Sequence, residues 1–143
     1  MIDRDRVREA LTGPITSIAT PFNMDGSVDY ESLCRILDFN IAAGSKAMLL
    51  TAGDSNLIVQ SDQEIAEVSK TVVDHTAGRA MVVTADRHFH TRQAVEFAKY
   101  AAEIGSDVHM VLPPDWAGSS TPETFRDHNA AVAEHIPVML VPG

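Results

Sequence analysis

Short apolar runs alternate with amphipathic stretches at a spacing of roughly 30 residues, the length of one βα unit. Runs rich in β-branched and other apolar residues at 15–20, 47–50, 80–84, 108–112 and 138–141 read as strands. Between them lie helical patterns with their own start and stop signals. Ser27 is placed to cap a helix whose stripe is Leu33, Ile36, Leu37 and Ile41, and Gly44 stands where that helix would stop. Ser61-Asp62-Gln63-Glu64 has the capping-box pattern and opens a helix through Ile65, Val68, Val72 and Val73 that ends near Gly78. Thr91 is the expected cap of a third helix, running through Ala94, Phe97, Ala98 and Ala101 to Gly105. Thr121, with Pro122 at the first helical position, opens a fourth. A short helical lead-in is expected at 3–11.

The resulting order, βαβαβαβαβ, predicts an α/β fold with a parallel sheet covered by helices. Two architectures satisfy it: a doubly wound open sheet, or part of a (β/α)8 barrel. No linker, low-complexity stretch or break in composition divides the chain, so residues 1–143 read as one unit. The doubly wound reading lacks its usual chemistry. The first strand is followed by Thr20-Pro21-Phe22 rather than a glycine-rich turn, and neither G-x-G-x-x-G nor G-x-x-x-x-G-K-[ST] occurs, which disfavours the common modes of nucleotide binding.

Charge narrows the partners. Eleven basic against 20 acidic residues leave a net charge of −9, which repels phosphate backbones and anionic lipid and argues against nucleic-acid or membrane-surface partners. No apolar run approaches the ~20 residues of a membrane span. The mixed charges of Met1-Ile2-Asp3-Arg4-Asp5-Arg6 do not resemble a secretory leader, and the single cysteine, Cys34, excludes an internal disulfide. These features predict a cytoplasmic protein.

In both architectures function sits at the carboxyl ends of the strands. That selects Thr20 to Phe22, Thr51 to Asn56, Asp86 to His90, Pro113 to Trp116 and Val141 to Gly143. Of these, Thr51-Ala52-Gly53-Asp54-Ser55 carries the most chemistry: small side chains leave room for a ligand, and exposed backbone N–H groups in such a turn can hold a carboxylate. His88 and His90 with Asp86 are close to a minimal metal set, but no further ligand announces itself, and solvated loop histidines are the favoured reading. Asp127, His128, Glu134 and His135 read as a solvated outer face. Lys46 begins its strand and Lys70 and Lys99 lie within helices, so none is placed to form an imine at a strand end.

The order and spacing of several motifs resemble the dihydrodipicolinate synthase / N-acetylneuraminate lyase family. Gly13-Pro14-Ile15 through Thr20-Pro21-Phe22, then Asp25-Gly26-Ser27-Val28-Asp29, is similar to that family's opening. Thr51-Ala52-Gly53-Asp54-Ser55 resembles its T-T-G-E-S loop, Ser61-Asp62-Gln63-Glu64 the following L-S-x-x-E, residues 101–107 its A-x-x-x-G-A-D, and Pro113-Pro114-Asp115-Trp116 its P-P-Y-Y. The resemblance implies a (β/α)8 barrel of which this chain supplies the first five strands and four helices. It implies a lyase or synthase of class I aldolase type, in which a lysine on the sixth strand forms a Schiff base with pyruvate or another 2-oxo acid, with no cofactor. Thr51 would be the proton-relaying catalytic hydroxyl. Thr51, Ala52, Gly53 and Asp54 would bind the substrate, with the Thr51-Ala52 backbone on its carboxylate. Homo-oligomers are common in the family and are expected here.

The departures qualify that picture. Ala52 replaces a threonine, Asp54 a glutamate, Trp116 the second tyrosine of P-P-Y-Y, and Val141-Pro142 a Tyr-Asn pair. Indole donates but cannot relay a proton. A typical barrel has ~250 residues, so this chain is expected to be about half of one, to stop before the Schiff-base lysine, and to be inert alone. Two other functions fit: a diverged barrel that binds a 2-oxo acid or sugar acid without transforming it and, remotely, a metal-dependent barrel enzyme using Asp86, His88 and His90.

Overall fold

The computed structural model describes residues 3–114, 118 and 120–141. Asp115 and Trp116 of the P-P-Y-Y-like segment, and Pro142 and Gly143, lie outside the described residues. Five strands form one parallel sheet: β1 (Ile15–Ser17), β2 (Ala47–Leu49), β3 (Met81–Ala85), β4 (Val108–Val111) and β5 (Val138–Leu140). Five α-helices accompany them: α1 (Arg4–Leu11), α2 (Tyr30–Ala42), α3 (Asp62–Thr76), α4 (Thr91–Glu103) and α5 (Pro122–Ala133).

Strand order separates the two architectures. The strands lie β1-β2-β3-β4-β5, each parallel to the next. A doubly wound sheet reverses its order at a switch point, whereas a barrel adds every strand on the same side. The arrangement is therefore a segment of a (β/α)8 barrel.

The side-chain alternation fits that shape. Met48, Leu50 and Val82 face the helices and pack with Leu33 and Leu37 of α2 and Val68 and Val72 of α3. Val111 meets Ala94, Ala98 and Ala101 of α4 and Val132 of α5. The alternate residues, Ala47, Met81, Val83 and Val108, turn to the other face, where Val7 and Ala10 of α1 cover the strand starts. Each fully buried Leu or Val contributes roughly 1.5–3 kcal/mol. Arg6 holds α1 in place through an ion pair to Asp107 at 3.3 Å.

Two of the four expected helix caps form. The Ser61/Glu64 capping box forms, and Thr121 caps α5 with Pro122 in its first turn. Ser27 does not cap α2. Asp25 accepts both its N–H and its hydroxyl, and Val28 is still bridged to Phe22 in extended chain, so Asp29 caps the helix instead. His90 rather than Thr91 caps α4, its Nδ1 accepting from the Arg92 N–H. His128 is not solvated. It lies on the buried stripe of α5 with Asn129 and Val132, its Nδ1 2.8 Å from Thr91 Oγ1 and its Nε2 3.1 Å from the Leu112 carbonyl.

Candidate functional site

The loop after β2 is built around Ser55, which is fully buried. Its Oγ accepts the Thr51 N–H at 2.9 Å. Its carbonyl accepts the Thr20 hydroxyl at 2.7 Å and the Gln60 side-chain amide at 3.0 Å. The Thr-Pro-Phe segment after β1 thus reaches across to fasten the loop after β2. Asn56 then takes a left-handed conformation (φ 55°) that leads into a single 3-10 turn at Leu57–Val59.

This scaffold decides which loop groups are free. Thr51 Oγ1 accepts the Asp54 N–H at 3.0 Å, so its own proton remains available to donate. Of the two amides that the resemblance assigns to a carboxylate, that of Thr51 is held by Ser55. The N–H groups of Ala52 and Gly53 have no acceptor among the described residues. Thr51 and Ala52 are half-buried, Gly53 and Asp54 exposed. Asp54 joins the loop's hydrogen bonding through its backbone alone.

A cavity of about 450 Å³ opens beside Ala52 and Gly53, walled by Ile58, Arg87, His88, Phe89, Gln93 and Leu112. Arg87 donates to Asp62 Oδ1 at 2.9 and 3.2 Å, and His88 Nε2 is 3.6 Å from the same oxygen. A second hollow, of about 630 Å³, lies between α1 and the α5–β5 turn, at the strand starts and away from the loop.

The β3–α4 loop does not assemble a metal set. Asp86 is turned inward, His88 faces Asp62, and His90 is committed to its cap. Among the described residues no three His, Cys, Asp or Glu side chains are grouped to hold an ion. Asp86 instead faces a histidine that sequence reasoning left unremarked, His109 on β4, with Oδ2 and Nε2 3.9 Å apart. Burial, reinforced by the nearby Asp62 charge, pushes Asp86 up to about 7, and burial pushes His109 down to about 4. The missed signal was parity: Asp86 and His109 fall on the helix-facing register of β3 and β4, where a charged or titratable side chain must find a partner.

The lysines sit where the sequence places them. Lys46 is exposed just before β2, Lys70 pairs with Asp74 at 2.5 Å, and Lys99 with Glu96 at 3.3 Å. Among the described residues no helix is long and apolar enough to cross a membrane.

Comparison with known proteins agrees with this geometry. The chain is 35% identical over 139 residues to a 4-hydroxy-tetrahydrodipicolinate synthase of Methylibium petroleiphilum, an alignment covering 93% of this chain and 46% of that protein. Two solved structures superpose closely. The dihydrodipicolinate synthase of Aquifex aeolicus (TM-score 0.80, 28% identity) and that of Acinetobacter baumannii, crystallised with pyruvate (TM-score 0.81, 27% identity), each cover 90% of this chain and are themselves covered to 44%. The chain therefore spans about half the length of the relatives it matches. Residues 10–141 match the model of the dihydrodipicolinate synthetase family, and the chain belongs to that family.

Proposed function

We propose that residues 1–143 supply the carboxylate-binding corner of a 2-oxo-acid site in an aldolase-type barrel, and that the imine-forming amine comes from outside these residues. The observation that carries the reading is the pair of unengaged amides at Ala52 and Gly53, at the carboxyl end of β2. Two N–H groups aimed at one carboxylate make charge-assisted bonds worth ~1.5–3 kcal/mol each. The likeness to a synthase crystallised with pyruvate makes pyruvate or a close analogue the substrate class. The whole protein is then a carbon–carbon lyase or synthase in which the imine serves as electron sink without a cofactor.

Each loop residue has a defined part in that reaction. Thr51, whose Oγ1 already accepts from Asp54, keeps its own proton to donate and fits a relay. Ala52 and Gly53 orient the acid through their backbones. Asp54 tightens the turn. Ser55 and Thr20 hold the loop rigid, so the amides are set before the ligand arrives. Ala52 offers a methyl group where relatives of this motif carry a hydroxyl, which removes one substrate hydrogen bond. That single change favours a second reading, a barrel that binds the acid without turning it over.

Borohydride trapping tests the proposal. Pyruvate should bind saturably to the 143-residue chain, and borohydride should leave its mass unchanged. A reduced pyruvate adduct on Lys46, Lys70 or Lys99 would overturn the assignment of the amine to another part of the protein.

A further inference from the structure

Thr91 and His128 depart together from their expected parts. Thr91 Oγ1 lies 2.8 Å from His128 Nδ1, and the cap of α4 falls to His90 instead. His128 Nε2 lies 3.1 Å from the carbonyl oxygen of Leu112. His128 is 2% exposed, so neither contact is a surface accident. The partners are 37 and 16 residues away along the chain. One side chain of α5 therefore bonds to the first residue of α4 and to the residue that follows β4.

Hydrogen-bond direction fixes the state of the ring. A carbonyl oxygen only accepts, so Nε2 carries a hydrogen and donates to Leu112. Burial holds His128 below the ordinary histidine range, against the opposing pull of its bond to Leu112, so the ring is neutral at pH 7. A neutral imidazole has one N–H, so Nδ1 is bare and accepts from the Thr91 hydroxyl. Both ring nitrogens are then satisfied. The Thr91 hydroxyl has no other partner among the described residues.

Both anchored residues adjoin the cavity beside Ala52 and Gly53. Leu112 is one of its walls, and Thr91 closely follows Arg87, His88 and Phe89, which form another. Leu112 precedes Pro113 and Pro114, which have no N–H. The chain leaving β4 thus has no backbone donor of its own at those two positions, and the Leu112 carbonyl ties it to α5. We propose that His128, in its Nε2–H form, is a positioning residue that clasps the β3–α4 loop and the end of β4 to α5 and so sets two walls of the 2-oxo-acid site. His128 does not line the cavity; it acts through Thr91 and Leu112. The inference rests on the proposed function in taking this cavity as part of the site, whereas the clasp itself needs no ligand.

Conservative substitution separates the two bonds. The carbonyl oxygen of Asn takes the place of Nδ1 and accepts from Thr91, the amide nitrogen of Gln takes the place of Nε2 and donates to Leu112, and Ala keeps neither. Two amides report on the β3–α4 loop: His88, which donates to Asp86 Oδ1, and Arg92, which donates to His90 Nδ1. One neutral hydrogen bond is worth roughly a twofold to tenfold change in an equilibrium constant. Exchange at His88 and Arg92 should therefore quicken by about that factor in His128→Ala and His128→Gln and stay near wild type in His128→Asn. Pyruvate binding should weaken about threefold to tenfold in His128→Ala. Val132→Ala is the control. It empties a fully buried position on the same helix and lowers stability, but it touches neither bond, so loop exchange and pyruvate affinity should hold.

The experiment is NMR on the ¹⁵N-labelled 143-residue chain at pH 7. A long-range ¹H–¹⁵N spectrum reads the ring of His128, amide exchange reads the loop, and a pyruvate titration reads the site. The expected result is a neutral ring protonated at Nε2, with the loop rescued by Asn and not by Gln. A ring protonated at Nδ1, exchange at His88 and Arg92 that is alike in wild type and all three His128 variants, or effects of Val132→Ala equal to those of His128→Ala would overturn the proposal. So would a His128→Ala variant that binds pyruvate as tightly as wild type. A wild type that binds no pyruvate would instead sink the site reading, and the ring and exchange results would still decide the clasp.

Discussion

Replacing Ser55 with alanine isolates one hydrogen bond at the centre of the site. The substitution keeps the backbone carbonyl, and with it the bonds from Thr20 and Gln60. It removes only the Oγ that accepts the Thr51 N–H at 2.9 Å. The lost bond is worth ~0.5–1.5 kcal/mol, and an amide left without a partner adds up to ~1–3 kcal/mol where water cannot reach it. Thr51 is half-buried, so partial solvation brings the total to about 1–2 kcal/mol. That shifts the unfolding equilibrium by roughly 5- to 30-fold. Urea titration gives the stability, and hydrogen exchange at Thr51 gives the fate of the amide. Thr20→Val is the matched control: Ser55 O loses one donor but keeps Gln60, so the cost should stay near ~0.5–1 kcal/mol. If Ser55→Ala changes stability by less than about 0.3 kcal/mol, or Thr20→Val proves the costlier of the two, Ser55 is not the hub of the loop.

Other parts of the fold make their own predictions. Leu37→Ala, at a fully buried position among α2, α3 and the sheet, should cost ~2–5 kcal/mol in urea denaturation; a cost below about 1 kcal/mol would contradict that packing. Asp38 is held below the usual carboxylate range by His75 first and Arg79 second, so its contribution is present at neutral pH and lost as pH falls through its lowered value. An NMR titration should place its midpoint below that of a model Asp, and in His75→Ala the midpoint should rise. Among the described residues β1 and β5 each leave one strand edge unpaired, with Ile15 and Leu140 41% and 49% exposed, so the 143-residue chain should self-associate. Light scattering that gives a monodisperse monomer would refute this.

The alternation of strands and helices was legible because it is written in periodicity. Ile65, Val68 and Val72 at helical spacing after Ser61, and the β-branched run at 80–84, sit where the pattern puts them. The choice between a doubly wound sheet and a barrel was not legible from pattern alone, since strand order depends on which way each crossover turns; the motifs decided it. The caps at Ser27 and Thr91 were misread because a local side chain intervened, Asp25 in the first case and His90 in the second. The Thr51-to-Ser55 loop was found from its small residues, but the role of Ser55 depends on Thr20, 35 residues away. The approach of Asp86 to His109 likewise brings the end of β3 against β4, whereas along the sequence Asp86 stands with His88 and His90.

The most direct test of the account is a residue-resolved pyruvate titration of the ¹⁵N-labelled 143-residue chain. The amide signals of Ala52 and Gly53 should move first and furthest with saturable dependence on pyruvate, while that of Thr51, already bonded to Ser55, should move less. Unchanged Ala52 and Gly53 signals at saturating pyruvate, or shifts centred on the hollow between α1 and the α5–β5 turn, would contradict the assignment of the β2 loop as the carboxylate site.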